Sequence, residues 1–300
     1  MAPELSIIIC TYNRDPYIDQ SILHILNQAV SKDKYELIVV NNNSTDRTDE
    51  ICRELLTEHD FRYFIETSQG LSHARNRGIS ESRGEILAFI DDDAMAAPDF
   101  IQNLLNFYHS RPNVSASGGR IYPRYETAKP HWISKFLMPL MSVIDLGDQP
   151  KAFTLGSYPI GANMAFRRSV IEAVGDFNTS LGRSGKNLQG GEEKDIFQRI
   201  RSKGLDVWYI PDVIVDHVIP EARLQPAFIR KMGNGIGESE RIRTSEISSS
   251  MLRKAYFREL AKWVATLGLC LGYFLSFQPA KAMMLVKFRY WVSSGLFKQN

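Results

Sequence analysis

Three aspartates in a row, Asp91, Asp92 and Asp93, follow the apolar run EILAFI at residues 85–90. On extended backbone, residues i and i+2 point the same way, so Asp91 and Asp93 can offer carboxylates to one point while Asp92 faces elsewhere. Such a pair suits a hard divalent cation, Mg2+ or Mn2+, which proteins hold with one or two carboxylates together with substrate phosphates. A D-x-D in isolation is more economically read as a helix cap or a solvated turn. Its surroundings reverse that reading.

Those surroundings are short β-branched runs alternating with helix-length amphipathic stretches. LSIIICT precedes Pro16–Gln28, YELIVVN precedes Asp46–His59, RYFIE precedes Leu71–Ile79, and EILAFI precedes Asp99–Ser110, with VSASGGR following. Strands buried on both faces with helical crossovers predict an α/β fold around a mostly parallel, Rossmann-like sheet flanked by helices. In such sheets ligands sit beyond the carboxyl ends of the strands. The residues there are polar: Thr11, Tyr12, Asn13 and Arg14, then NNNSTD at 41–46, then TSQGLSHARN at 67–76, then the three aspartates. No G-x-G-x-x-G follows the first strand and no G-x-x-x-x-G-K-[ST] occurs, which removes the usual signatures of dinucleotide and P-loop chemistry.

Three hundred residues, 44% of them apolar, suffice for one large domain or two modest ones. Cys10, Cys52 and Cys270 are too few and too scattered for a disulfide framework or a zinc site, which predicts a reducing compartment. The N-terminal stretch carries no basic region or cleavage site, so cytosolic chemistry is expected. Residues 121–157 are irregular and rich in Pro, Trp and Met, and are read as a lid or acceptor-facing insertion.

SIIICTYNR, ELIVVNNNSTDRT, GLSHARNRG and LAFIDDDAMAAPDF, in this order and spacing, resemble the family 2 glycosyltransferases of the GT-A fold, over roughly residues 5–220. The resemblance implies that Thr11, Tyr12 and Asn13 line the nucleotide pocket and that Asn42 reads the base. It places Arg75 and Asn76 beside the diphosphate, Asp91 and Asp92 near ribose and sugar, and Asp93 on the metal. Asn41 departs from the family's frequent Asp, offering a donor as well as an acceptor. Asn163, in GANMAFRR, falls on the sugar and acceptor side.

Sugar transfer from a nucleotide diphosphate needs one base to take the acceptor's proton and a cation to stabilise the leaving diphosphate. In GGEEKDIFQRI, Gly190 and Gly191 give a flexible entry, and Glu192, Glu193 and Asp195 start a helix whose N-terminus tolerates acids whether or not they are catalytic. The segment is similar to the family's GED, whose Asp is the base. Glu193 takes that position, with Glu192 as competitor. His217, in VIVDHVIP, is either a structural histidine or, as in many family members, a third metal contact. An inverting outcome follows from the family.

The charge is uneven. Residues 223–300 carry 13 Lys/Arg against 4 Glu, a balance of +9 that leaves −7 for the rest. Residues 263–280 contain no charge, at the lower limit for a bilayer span, and are flanked by basic residues on both sides. A basic helical extension is expected over 223–300, after a catalytic domain of residues 1–222 divided at about residue 120. Through residues 253–300 it would rest on, or re-enter, the cytosolic face of a membrane, or else pack as plain helices. No recognition motif supports nucleic-acid binding. The expected activity is transfer from a UDP-sugar to a glycan or lipid-linked hydroxyl, dependent on Mn2+ or Mg2+. The competing readings are a silent nucleotide-sugar binding subunit and another metal-dependent enzyme such as a nucleotidyltransferase.

Overall fold

The computed structural model describes residues 2–154, 156–185 and 190–298. Residues 186–189, within the Gly-rich acceptor-side loop, lie outside the described residues. The chain divides into two units. The first comprises residues 1–124, 142–180 and 192–218, and the second 125–141, 181–191 and 219–300. Residues 125–141 and 181–191, expected in the acceptor half of the catalytic domain, thus group with the C-terminal extension.

The first unit is built on β1 (Leu5–Thr11), β2 (Tyr35–Asn41), β3 (Arg62–Ile65) and β4 (Ile86–Asp91), connected by α1 (Ile18–Leu26), α2 (Thr48–Glu58) and α3 (Leu71–Glu81). β1 pairs in parallel with β2 and β4, and β2 with β3. The β-branched runs are the reason. Ile7, Ile8 and Ile9 are each fully buried, and each such side chain contributes roughly 1.5–3 kcal/mol of apolar burial. The remaining elements are β5 (Ala94–Ala96), α4 (Phe100–Ser110), β6 (Ala116–Tyr125), β7 (Lys151–Ala152), β8 (Met164–Arg167), α5 (Arg168–Val174), α6 (Glu192–Ser202) and β9 (Val207–Ile219). The sheet order is β3-β2-β1-β4-β8-β6-β9-β5, with β7 also on β9.

The expected α/β class holds, but the parallel pairing of the first four strands does not continue across the sheet. β8 runs antiparallel to β4 and to β6, and β5 and β7 run antiparallel to β9. The expected irregular insertion is partly ordered: β6 runs on to Tyr125, Ile121 bridges Ile144, and a 3-10 turn spans Lys135–Met141. Ile133, Leu137 and Met141 of that segment are buried.

The second unit is dominated by α7 (Pro226–Ile247), α8 (Ser249–Leu275) and α9 (Pro279–Leu296). Ser248 caps α8 by accepting the Met251 N–H at 3.2 Å. Inside the unit, the carboxylate of Glu259 on α8 accepts from Arg289 and Ser293 of α9 at 3.1 and 2.9 Å, and Trp263 donates to Ser293 at 2.9 Å. This buried polar network fixes the α8–α9 register. Among the described residues no helix is long and apolar enough to cross a membrane.

Candidate active site

β4 delivers Asp91, the chain turns through Asp92 and Asp93, and β5 carries it away. Asp92 and Asp93 are buried. The β5–β9 ladder sets Ala94 opposite His217, and the Val218 N–H donates to the Asp93 carbonyl at 2.8 Å. That ladder brings His217 Nε2 to 3.1 Å from Asp93 Oδ1. Asp91, Asp93 and His217 each offer a ligand atom, all within 4.8 Å of one another. Two carboxylates and an imidazole form a donor set suited to Mn2+ or another borderline-to-hard divalent ion. Asp91 and Asp93 converge through their i, i+2 spacing, whereas His217 arrives through the long-range β5–β9 ladder.

The aspartate triplet has a cation of its own that its local sequence conceals. Arg14, just past β1, places Nε 3.2 Å from Asp92 Oδ1 and Nη2 3.4 Å from Asp93 Oδ2. Its backbone N–H donates to Thr48 Oγ1 at 2.9 Å, which ties it to the start of α2. Burial works against the guanidinium's charge, but Asp92, Asp93 and Asp91 outweigh burial and raise its pKa. Burial raises Asp92 to about 6, Arg14 pulls it back, and the like charge of Asp93 adds to the rise.

A second cluster forms around Arg75 of α3. Its Nη1 donates to Glu192 Oε1 at 2.9 Å and its Nη2 to Glu193 Oε1 at 3.1 Å. The Gly161 N–H donates to the same Glu193 oxygen at 2.8 Å. A methyl on Gly161 would overlap Arg75 Nη2 and lie 2.5 Å from Glu193 Oε1, so a side chain there would push both groups aside. The Arg75 guanidinium also stacks over Phe177, 5.2 Å from the ring centre. Asn76 fixes that ring by exchanging two hydrogen bonds with the Phe177 backbone, each 2.9 Å. Glu192 Oε2 is buried without a hydrogen-bond partner.

Burial raises the Glu193 carboxyl to about 7, opposed by Arg75 and reinforced by Glu192 and Asp91. Asp91 also acts on Arg75, so the metal-side and acid-side clusters form one electrostatic site. Cys10 lies in the same field; burial pushes its thiol up to about 12, which keeps it neutral.

The expected nucleotide-side residues brace one another. Asn13, at φ 52°, accepts the Thr45 N–H at 2.8 Å and donates its own N–H to Ser44 Oγ at 3.0 Å, joining the ends of β1 and β2. Thr11 is buried and Tyr12 half-buried at the same strand end. Asn42 is buried; its Nδ2 donates to the Glu66 and Ser68 carbonyls, and its Oδ1 accepts the Gly70 N–H at 2.7 Å. Asn163 donates to the Val213 and Arg120 carbonyls at 2.8 and 3.2 Å. Both amides are committed to backbone. Asn41 explains its own identity. It accepts from the Ser44 N–H at 2.9 Å and donates to Tyr63 OH at 2.7 Å, while Tyr63 donates onward to Asp49 at 2.6 Å. An Asp at position 41 would have no proton to give Tyr63. The sequence places Arg14 at the polar end of the first strand without assigning it a role, and it offers GANMAFRR for Asn163 without singling out Gly161.

The match of this chain to a protein-family model decides the assignment: "Glycosyl transferase family 2" fits residues 6–175. The chain belongs to that family. The match covers the four strand ends and Gly161, but stops before Glu192, Glu193 and His217. The enzyme is 30% identical over 270 residues to glycosyltransferase AglE of Haloferax volcanii, covering 87% of this chain and 80% of that one. It is 26% identical over 227 residues to the glucosyl-dolichyl phosphate glucuronosyltransferase of the same organism, covering 74% and 71%. Among solved structures it resembles the mannosyltransferase PcManGT of Pyrobaculum calidifontis, in complex with GDP-Man and Mn2+, with TM-score 0.63 at 20% identity over 99% of this chain and 88% of that one. S. aureus TarS bound to UDP gives TM-score 0.55 at 15% identity, over 98% and 91%. These likenesses establish the GT-A fold.

Proposed function

We propose that this glycosyltransferase is inverting and metal-dependent, and moves a sugar from a UDP-sugar to a hydroxyl of a glycan or lipid-linked acceptor met at the cytosolic face of a membrane. The observation that carries the reading is the placement of Glu193, held by one oxygen beside Arg75 and Gly161, where burial raises its carboxyl to about 7. Arg75 and Gly161 fix Oε1, which leaves Oε2 to take the acceptor's proton. A base poised near the working pH is what general-base catalysis requires. One carboxylate suffices, because a diphosphate leaves without protonation by a second.

Asp91, Asp93 and His217 would hold Mn2+ or Mg2+, which when bound supplies positive charge to the departing diphosphate. Arg14 keeps Asp92 and Asp93 in place from the nucleotide side. Arg75 aligns Glu193 and tempers its basicity, and Asn13, Asn41 and Asn42 shape the loops around the base pocket. The dolichyl phosphate named for one relative supports the lipid-linked acceptor. UDP is weighed against GDP, since similar folds bind UDP in TarS and GDP-Man in PcManGT.

Thermal-shift measurements with UDP- and GDP-sugars, with and without Mn2+, identify the donor through ligand-linked stabilisation. Glu193→Gln should then lose roughly 10²–10⁴-fold in turnover while keeping its donor-induced shift. Wild-type turnover in Glu193→Gln refutes the base. Pyrophosphate release in place of nucleoside diphosphate would identify a nucleotidyltransferase, and no turnover with any acceptor a silent binding subunit.

A further inference from the structure

Among the described residues nothing covers the side of α8 turned away from α9. Ala255, Glu259, Thr266 and Cys270 are buried, and Cys270 Sγ contacts the Ala282 carbonyl of α9 at 3.3 Å. On the outer side Phe257, Leu260, Val264, Leu267, Leu271 and Phe274 are 54–73% exposed, at alternating intervals of three and four residues. That spacing makes one straight apolar stripe about 26 Å long. The stripe runs into the turn between α8 and α9, where Leu275 is 73% and Phe277 93% exposed. A monomer that leaves this much contiguous apolar surface in water has a partner for it.

Two features choose the partner. The first is charge. From residue 260 to the C-terminus there is no acidic residue, and Glu259 is buried against Arg289. Arg253, seven residues before Leu260, and Lys254 beside it are exposed where the stripe begins. The second is the flank of the stripe. A paired helix of a second copy would want complementary charges beside the seam, but the flanking positions are Ala261, Gly268 and Leu275 on one side and Tyr256, Trp263 and Cys270 on the other. A helix pair would also leave Phe277, beyond the end of α8, in water.

We propose that the outer face of α8 and the α8–α9 turn form a membrane-docking surface. It lies in the headgroup layer of an anionic bilayer, with Phe274, Leu275 and Phe277 entering the acyl boundary and the exposed lysines and arginines on lipid phosphates. This deepens the membrane placement proposed above. It does not depend on the chemistry of the active site, so either can fail alone.

The test is co-sedimentation of the full chain with vesicles of phosphatidylcholine alone, or of phosphatidylcholine mixed with phosphatidylglycerol. Binding is expected to the mixed vesicles and to weaken with salt. The triple variant Phe274→Ser/Leu275→Ser/Phe277→Ser should bind at least about tenfold more weakly, with unchanged thermal stability and an unchanged donor-induced shift, since these side chains are largely exposed. Arg253→Gln/Lys254→Gln should weaken binding to the mixed vesicles alone. Equal binding by wild type and the triple variant overturns the proposal. So does an absence of vesicle binding together with a stable dimer in sedimentation analysis that Leu260→Ser/Leu267→Ser dissociates, which would assign the stripe to a second copy.

Discussion

Arg75 opposes the burial that raises Glu193, and removing it should move the pH dependence of the enzyme in a defined direction. As the proposed base, Glu193 works in its ionised form, and burial raises its carboxyl to about 7. Activity should therefore be present above about pH 7 and lost as pH falls through that value. Arg75→Met keeps the length and removes the charge. Opposite charges 3.1 Å apart attract by roughly 5 kcal/mol at an effective dielectric near 20. The Glu193 side chain is 20% exposed, so water recovers much of this. A shift of one pH unit requires only about 1.4 kcal/mol. The acid limb of kcat/KM, measured with a soluble acceptor across the neutral range, should rise by at least about one unit. Losing one partner of a buried pair costs about 3–5 kcal/mol of stability, so a companion Arg75→Lys variant, which keeps the charge, guards against unfolding. Its limb should stay near that of wild type while its rate falls from poorer alignment. An unmoved limb in folded Arg75→Met would refute the coupling of Arg75 to the base.

Gly161→Ala should lower kcat well beyond any change in donor binding, because the added methyl must displace both Arg75 and Glu193; rates beside donor-induced thermal shifts separate the two. Asn41→Asp should cost roughly 1–3 kcal/mol at neutral pH, since a buried carboxylate would face Asp49 across Tyr63 with no proton to share. A buried carboxyl has a raised folded-state pKa, so the Tm deficit should shrink as pH falls through it. Gly78→Ala, on α3, should destabilise by roughly 1–3 kcal/mol despite alanine's better helix propensity, because its Cβ would overlap Ile8 Cγ2; denaturant unfolding measures this.

What could be read from the residues divides by the range of the interactions that decide each feature. The strands carrying the site are long β-branched runs, and the shared direction of Asp91 and Asp93 is local backbone geometry, so both were legible. Strand direction in the second half of the sheet depends on where each connection crosses, and no run of residues such as MAFR at 164–167 records that it will lie antiparallel between β4 and β6. Asn42 and Asn163 announce polar groups near a cleft, but the sequence does not say that their donors end on backbone carbonyls.

The three aspartates show the same limit from the other side. The shared direction of Asp91 and Asp93 predicts a bound metal ion as the source of positive charge beside them. The structure supplies part of that charge from the chain itself. Arg14 reaches Asp92 and Asp93 because the parallel pairing of β1 with β4 sets Cys10 beside Asp91, which brings the residues just after both strands to the same edge. The division is therefore by face. Asp92 is held by the guanidinium, Asp93 is shared between Arg14 on Oδ2 and His217 on Oδ1, and Asp91 is left as the partly exposed carboxylate of the triplet. A cation entering at Asp91, Asp93 and His217 would meet Asp93 already oriented by the fixed charge of Arg14 and by His217, so that only the Asp91 carboxylate has to be brought onto it.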